Sequence, residues 1–183
     1  TEIEKDVARL QIIADRFSKI GSEPVLERQD IVAATRDIPV VFTAVSDPVG
    51  AQLVKDMEKP GRNVTGLSDM LPVGEHLALI KEISPNAKSI GFLYNSAEAN
   101  SVSTLATLKA EAEKAGLKVV ESVATKSAEV QGATRALVGK ADVIYVPTDN
   151  TVVSGIDTVL TYAADHKVPV VSGDTGPVER GAG

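Results

Sequence analysis

From Lys88 onward the chain alternates short apolar runs with amphipathic stretches of about 10–15 residues, and this rhythm restricts the fold more than any other feature. Short strands that alternate with helices of this length indicate βαβ units and a parallel sheet. The pattern therefore predicts a three-layer α/β unit over roughly residues 70–170. Its predicted strands are 89–94, 117–123, 142–146 and 168–171, and its predicted helices are 101–115, 128–138 and 152–166.

The first part of the chain has a weaker pattern. Apolar residues at helical spacing predict an amphipathic helix over residues 2–17, and a weak strand signal lies near Val25 and Leu26. The β-branched run 38–45 predicts a buried strand. The remaining predictions are a short helix at 49–57, a strand at 64–67 and a helix at 73–83.

Composition excludes several classes of function. The net charge of −6 argues against nucleic-acid binding, which needs a basic face. The absence of Cys excludes disulfides, thiolate metal sites and cysteine nucleophiles. No stretch is long and apolar enough for a membrane span, and no signal peptide is visible at Thr1.

Polar residues follow the predicted strands at the point where each strand ends. The carboxyl ends of parallel strands share one edge of a sheet, and ligands bind there. Hydroxyls and free amides at helix N-termini, near Ser46, Ser96 and Thr148, could hold a carboxylate, while Asp149 and Asp174 could accept from an ammonium group. Each loop taken alone is also explained by helix capping, but 148–151 carries four polar residues where one cap would suffice. The candidate ligand-binding residues are Ser46, Asp47, Asn95, Ser96, Asn100, Thr148, Asp149, Asn150 and Asp174.

Catalytic interpretations find little support in the sequence. The two histidines, His76 and His166, fall in predicted helices without an evident partner, which favours a surface role. No phosphate-binding loop, dinucleotide fingerprint or nucleophile elbow follows a predicted strand. We therefore predict no catalytic residue, no metal site and no cofactor.

Four stretches of the sequence resemble one known family. They are IPVVFTAVSDPVG at 38–50, NVTGLSD at 63–69, IYVPTDNTVV at 144–153 and VVSGDTGPVERGA at 170–182. Together they resemble the substrate-binding proteins of ABC transporters, of the tryptophan-binding lipoprotein type. The resemblance runs from about Ala34 to Gly183.

The resemblance implies the type I periplasmic-binding fold, in which two α/β lobes close on a ligand by hinge bending. It implies a partial first lobe over residues 1–68 and a second lobe over 69–183, with Ser46 and Asp47 on the first and the other candidates on the second. Gly66 and Ser68 are the implied hinge residues. Relative to the family, the first strand and helix are missing before Thr1, residues 18–33 lack the expected strand and ligand loop, and the chain stops where it would cross back.

The implied function is capture of a small molecule in the cleft between the lobes for a membrane ABC permease. The implied ligand is an amino acid, aromatic ones included, or a relative. The implied location is the periplasm, or the cell exterior on a lipid anchor, with the signal segment absent from this chain. Two alternatives remain open from the residues. One is the ligand-sensing core of a transcription regulator, and the other is an enzyme such as an amino-acid racemase. Racemases of that kind use paired cysteines, and this chain has no Cys.

Overall fold

The computed structural model describes residues 38–61 and 63–183. The helix predicted over residues 2–17 and the strand predicted near Val25 and Leu26 lie outside the described residues. Backbone contacts divide the chain into two compact units, residues 1–69 and 70–183. The assignment of these two units to two lobes stays a prediction.

The first unit contains two parallel strands, β1 (Val40–Val45) and β2 (Val64–Ser68). Phe42 of β1, Val64 of β2 and Val54 of the connection between the strands form a small buried cluster. The predicted helix at 49–57 is wrong, because residues 48–52 form consecutive turns instead. Pro48 and Gly50 are poor helix formers, and Gln52 has a left-handed φ of 57°, so the chain reverses before a helix can propagate.

The second unit is a four-stranded parallel sheet covered by helices. Its strand order is β4-β3-β5-β6, so β5 lies beside β3 although β4 comes between them in the sequence. The strands are β3 (Ser89–Tyr94), β4 (Lys118–Val123), β5 (Val143–Val146) and β6 (Val170–Ser172). The helices are α1 (Val73–Ile83), α2 (Ala99–Lys114), α3 (Val130–Leu137), α4 (Asn150–Ser154), α5 (Ile156–Asp165) and α6 (Thr175–Glu179), and a 3-10 turn (Ser127–Glu129) precedes α3.

Two apolar layers enclose this sheet, one on each face. On one face Phe92 and Tyr145 pack against α1 and α2, through residues that include Ile80 and Leu108. On the other face alternate residues of the same strands pack against α3, α4 and α5. Strands that are buried on both faces read as continuous apolar runs, which is the pattern of β3 and β5. The predicted α/β architecture with parallel strands is confirmed for this unit.

Two details of the predicted helices are wrong. The continuous helix predicted at 152–166 is split at Gly155, where a side chain would come within 3.1 Å of Val130 and glycine disfavours an unbroken helix. No helix was predicted after residue 171, but α6 forms there because the Asp174 side chain accepts a hydrogen bond from the Gly176 amide at 3.1 Å.

Candidate functional site

The carboxyl ends of β3 and β5 form the point at which the connections of the sheet diverge. The chain leaves β3 through α2 toward β4 at one edge, and it leaves β5 through α4 and α5 toward β6 at the other. In open parallel sheets the crevice outside such a point is where ligands bind. The β3–α2 loop (residues 95–98) and the β5–α4 segment (residues 147–151) therefore lie where the sequence predicts a site.

Asp149 is at the centre of this region and its side chain is fully buried, with 0% of the residue exposed. Its Oδ2 accepts hydrogen bonds from the Asn95 amide at 2.7 Å and from the Ser101 hydroxyl at 2.6 Å. Its Oδ1 accepts from the Val152 amide at 2.9 Å, which caps α4. A buried carboxylate is tolerated when its lone pairs are satisfied in this way. Asp149 thus holds the β3–α2 loop to the start of α4.

Glu98 makes the reciprocal connection, from the β3–α2 loop to α4. Its Oε2 accepts from the amide and the side-chain Nδ2 of Asn150 at 2.9 and 3.0 Å. Its Oε1 accepts from the amide and the hydroxyl of Thr151 at 3.1 and 2.9 Å. Burial disfavours the charged form of Glu98, but these hydrogen bonds outweigh it and hold the pKa of the carboxyl below its ordinary value. Glu98 is therefore ionised at neutral pH.

Two asparagines complete the links between the loops. Asn95 Nδ2 donates to the Thr151 hydroxyl at 2.8 Å, and that hydroxyl in turn donates to Glu98. Asn100 Nδ2 donates to the backbone carbonyl of Thr148 at 2.6 Å. Several of the predicted ligand-binding groups therefore bind one another, which accounts for the density of polar residues at 148–151.

Thr148 is different from its neighbours. Its hydroxyl oxygen is buried, yet it has no hydrogen-bond partner among the described residues. A buried hydroxyl without a partner is costly, and native proteins satisfy nearly all such groups. Ser96 is exposed in the facing loop, and no hydrogen bond of its side chain is present in the described part of the chain. Neither of these two hydroxyls makes a hydrogen bond to the described part of the protein, so both are candidates for bonding to a ligand group.

The other predicted site residues lie at three further positions. Asp174 follows β6 and caps α6 through Oδ1, while its Oδ2 makes no hydrogen bond within residues 38–61 and 63–183. In the first unit, Asp47 follows β1 and accepts from the Gly50 amide at 2.8 Å, and the Ser46 carbonyl accepts from the Ser68 hydroxyl at 3.0 Å. The structure thus brings Asn95, Asn100, Thr148, Asp149 and Asn150 together, and ligand contacts by any of the nine residues stay a prediction.

Three residues that shape this region were missed in the sequence: Glu98, Ser101 and Thr151. A signal for Glu98 was present, because it is the one carboxylate in a loop of otherwise small or amide-bearing residues, 95–101. The others needed the strand order, since their partners lie about fifty positions away along the chain.

The sequence showed no evident partner for His76, but the structure gives it one. Its Nδ1 lies 2.7 Å from the hydroxyl of Tyr145, a fully buried residue of β5. Burial lowers the pKa of His76, and the neighbouring Glu75 opposes this only in part. Burial also raises the pKa of Tyr145. The pair is a neutral hydrogen bond that joins α1 to the sheet.

Replacing His76 with Gln should make the free energy of unfolding less dependent on pH. The folded pKa of His76 is below the ordinary value of 6.5, so the unfolded chain takes up a proton more readily. Its contribution is complete above that value and is lost as the pH falls toward the folded pKa. We expect the stability of the wild-type chain to decrease more between pH 7 and pH 5 than that of His76→Gln in urea unfolding. The control His166→Gln, on an exposed helix end, should follow the wild type, and parallel curves for all three proteins would contradict the assignment.

Neither a metal centre nor a membrane span is present in the part of the chain that the structure describes. No three acidic or histidine side chains there come together closely enough to hold a metal ion. The helices of residues 38–61 and 63–183 are too short or too polar to cross a bilayer.

Comparison with known proteins identifies the class of protein to which this fold and this candidate site belong. The family described as ABC transporter substrate binding protein matches residues 4–183. A tyrosine-binding protein of Clostridioides difficile (strain R20291) is 41% identical over 184 aligned positions, which cover 98% of this chain and 53% of that protein. The chain therefore spans about half the length of that curated relative.

Two solved structures are also similar. A conserved domain protein of Vibrio cholerae has a TM-score of 0.78 and 57% identity, and the ABC domain of Streptococcus pneumoniae in complex with L-Trp has a TM-score of 0.77 and 44% identity. Each match covers 84% of this chain and 52% of the other. The type I periplasmic-binding fold predicted from the sequence is confirmed.

This chain belongs to the family of ABC transporter substrate-binding proteins. The proteins of this family are binding proteins, and they are extracellular or periplasmic. The recognition made from the four sequence stretches is therefore confirmed.

Proposed function

We propose that this chain forms part of the ligand-binding region of a solute-binding protein that delivers an amino acid to an ABC importer. The observation that carries the proposal is the Thr148 hydroxyl, which is buried, unpartnered within the described residues, and located where the sheet connections diverge. A ligand group that binds there would satisfy this hydroxyl without breaking any hydrogen bond of the two loops.

The nine residues predicted from the sequence stay the proposed ligand-binding residues, and their roles differ. We assign the Thr148 and Ser96 hydroxyls to the ligand carboxylate, since hydroxyls can hold a carboxylate without an arginine. The free Oδ2 of Asp174 is the acceptor proposed for the ammonium group. Asp149 contributes by positioning the loops, because all of its bonds are already made to the protein.

The relatives support the choice of ligand. One is described as tyrosine-binding and another was solved with L-Trp, so both ligands carry the same amino and carboxylate groups next to an aromatic side chain. A zwitterionic amino acid, aromatic ones included, is accordingly the proposed ligand of the whole protein. The proposed partner is a membrane ABC permease, the proposed location is the periplasm or a lipid anchor outside the cell, and the proposal includes no catalytic step.

Changing Thr148 to Val should weaken amino-acid binding about tenfold, because the substitution keeps the shape and removes one hydrogen bond to a charged ligand group, worth about 1.4 kcal/mol or more. The measurement is calorimetric titration with tyrosine, tryptophan and phenylalanine, on this chain completed to the length of its relatives. Stopped-flow experiments should place the change in the dissociation rate, as expected for a lost contact.

Thr107→Val is the matched control, because Thr107 is exposed on α2 and its hydroxyl bonds only to the Ser103 carbonyl. It should bind as the wild type does. Unchanged affinity in Thr148→Val would refute the assignment of this hydroxyl, and the absence of any amino-acid binding by the wild-type protein would refute the proposed function itself.

A further inference from the structure

We infer that Glu98 is a positioning residue for ligand binding, which together with Asp149 locks the β3–α2 loop and the start of α4 into one preorganised platform. The inference rests on the proposed function for the ligand, but its structural basis is independent of it. No bond from Glu98 to a ligand is invoked, because its carboxylate already accepts four hydrogen bonds from the protein.

Each of the two segments contributes a carboxylate that binds to the other segment. Asp149 follows β5 and bonds to residues of the β3–α2 region, whereas Glu98 precedes α2 and bonds to the first residues of α4. Each carboxylate therefore holds the other's segment, and either segment can move only if hydrogen bonds of both are broken. Charge-assisted bonds of this kind are stronger than neutral ones.

Thr148 is the residue that this platform would orient. Thr148 immediately precedes Asp149, and its carbonyl accepts from Asn100 Nδ2 at 2.6 Å, so its backbone is fixed on both sides. Asn150 and Thr151, the residues that Glu98 binds, follow directly. If the hydrogen bonds of Glu98 were lost, the start of α4 would become mobile and the Thr148 hydroxyl would no longer be held in position.

The platform has a consequence for binding kinetics. If a loop is in its binding-competent arrangement for only a fraction of the time, the apparent affinity is the intrinsic affinity multiplied by that fraction. The loss then appears in the association rate, because the bound complex keeps the correct arrangement and dissociates as before. A residue that touches the ligand changes the dissociation rate instead.

Glu98→Gln tests the inference. The side chain of Gln carries an NH2 group in place of one carboxylate oxygen, and this group cannot accept the hydrogen bonds from Asn150 or from Thr151 that the oxygen accepted. The first measurement is amide hydrogen exchange of the 183-residue chain without ligand. We expect exchange at Asn150 and Thr151 to accelerate about tenfold or more, with faster exchange also at residues 95–97, because the loops are joined. The second measurement is stopped-flow binding of tyrosine or tryptophan to the chain completed to the length of its relatives, in which the association rate should fall about fivefold with an unchanged dissociation rate.

Glu129→Gln is the matched control. Glu129 accepts from the amide and hydroxyl of Thr125 at 3.0 and 2.8 Å, which is the same chemistry as at Thr151, but within the single loop that follows β4. This variant should leave exchange at 148–151 and both rate constants unchanged.

The outcomes are distinct. A faster dissociation rate in Glu98→Gln with normal exchange would overturn the inference, because Glu98 would then touch the ligand. Unchanged exchange and unchanged rates would overturn it as well. If the wild-type protein binds no amino acid, the proposed function fails, and exchange alone decides: acceleration that spreads to 95–97 supports the platform, and acceleration confined to 150–151 or absent overturns it.

Discussion

Asp149→Ala is expected to lower the free energy of unfolding of the second unit by about 3 kcal/mol. The substitution leaves the Asn95 amide, the Ser101 hydroxyl and the Val152 amide without their acceptor in a fully buried place. A buried donor without a partner costs about 1–3 kcal/mol, and the loss of a helix cap about 1 kcal/mol. Urea unfolding followed by tyrosine fluorescence measures this unit selectively, because all three tyrosines of the chain lie in residues 70–183 and Trp is absent.

Asp174→Ala is the control for this experiment, since Asp174 also caps a short helix, α6, but its side chain bonds to one amide only and is half-buried. It should cost about 1 kcal/mol, the value for a cap. Equal losses in the two variants would show that Asp149 acts as a cap alone and does not join the loops.

Phe92→Ala is expected to cost about 4 kcal/mol in the same measurement. Phe92 is fully buried in β3, one of the two inner strands, and its ring centroid lies 5.2 Å from that of Tyr94 and 5.8 Å from that of Tyr145. Removal of a buried aromatic ring loses its transfer free energy and leaves a cavity, which together cost about 3–5 kcal/mol.

Val102→Ala, at a position on α2 that is 45% exposed, is the corresponding surface control and should change stability by no more than about 0.5 kcal/mol. If Phe92→Ala and Val102→Ala were equally mild, the apolar layer around β3 would have to refill the space of the missing ring. The near-ultraviolet circular dichroism of Tyr94 and Tyr145 would reveal that rearrangement.

Most of the second unit could be predicted from local patterns. The helix at 73–83 and the strand at 89–94 were predicted with the bounds that the structure has, because both segments carry a periodic apolar pattern of sufficient length. Errors occurred where the decisive interaction is not periodic. The predicted helix at 49–57 failed at a turn, and α6 was missed because a single side-chain cap starts a helix of five residues.

The candidate site also has features that the sequence predicted and features that only the structure shows. By itself the sequence determined the family, through the resemblance of four stretches, and the parallel sheet with its polar edge, because strand–helix alternation and capping chemistry are read from neighbouring residues. Only the tertiary structure decided that Asp149 binds Asn95 and Ser101, that Glu98 binds Asn150 and Thr151, and that the Thr148 hydroxyl is left without a partner among the described residues. The physical reason is that a hydrogen bond requires its atoms to lie within about 3 Å of one another. That proximity arises because β5 pairs directly with β3 although β4 comes between them in the sequence, a choice made by the packing of the whole sheet and not by any residue along the loops.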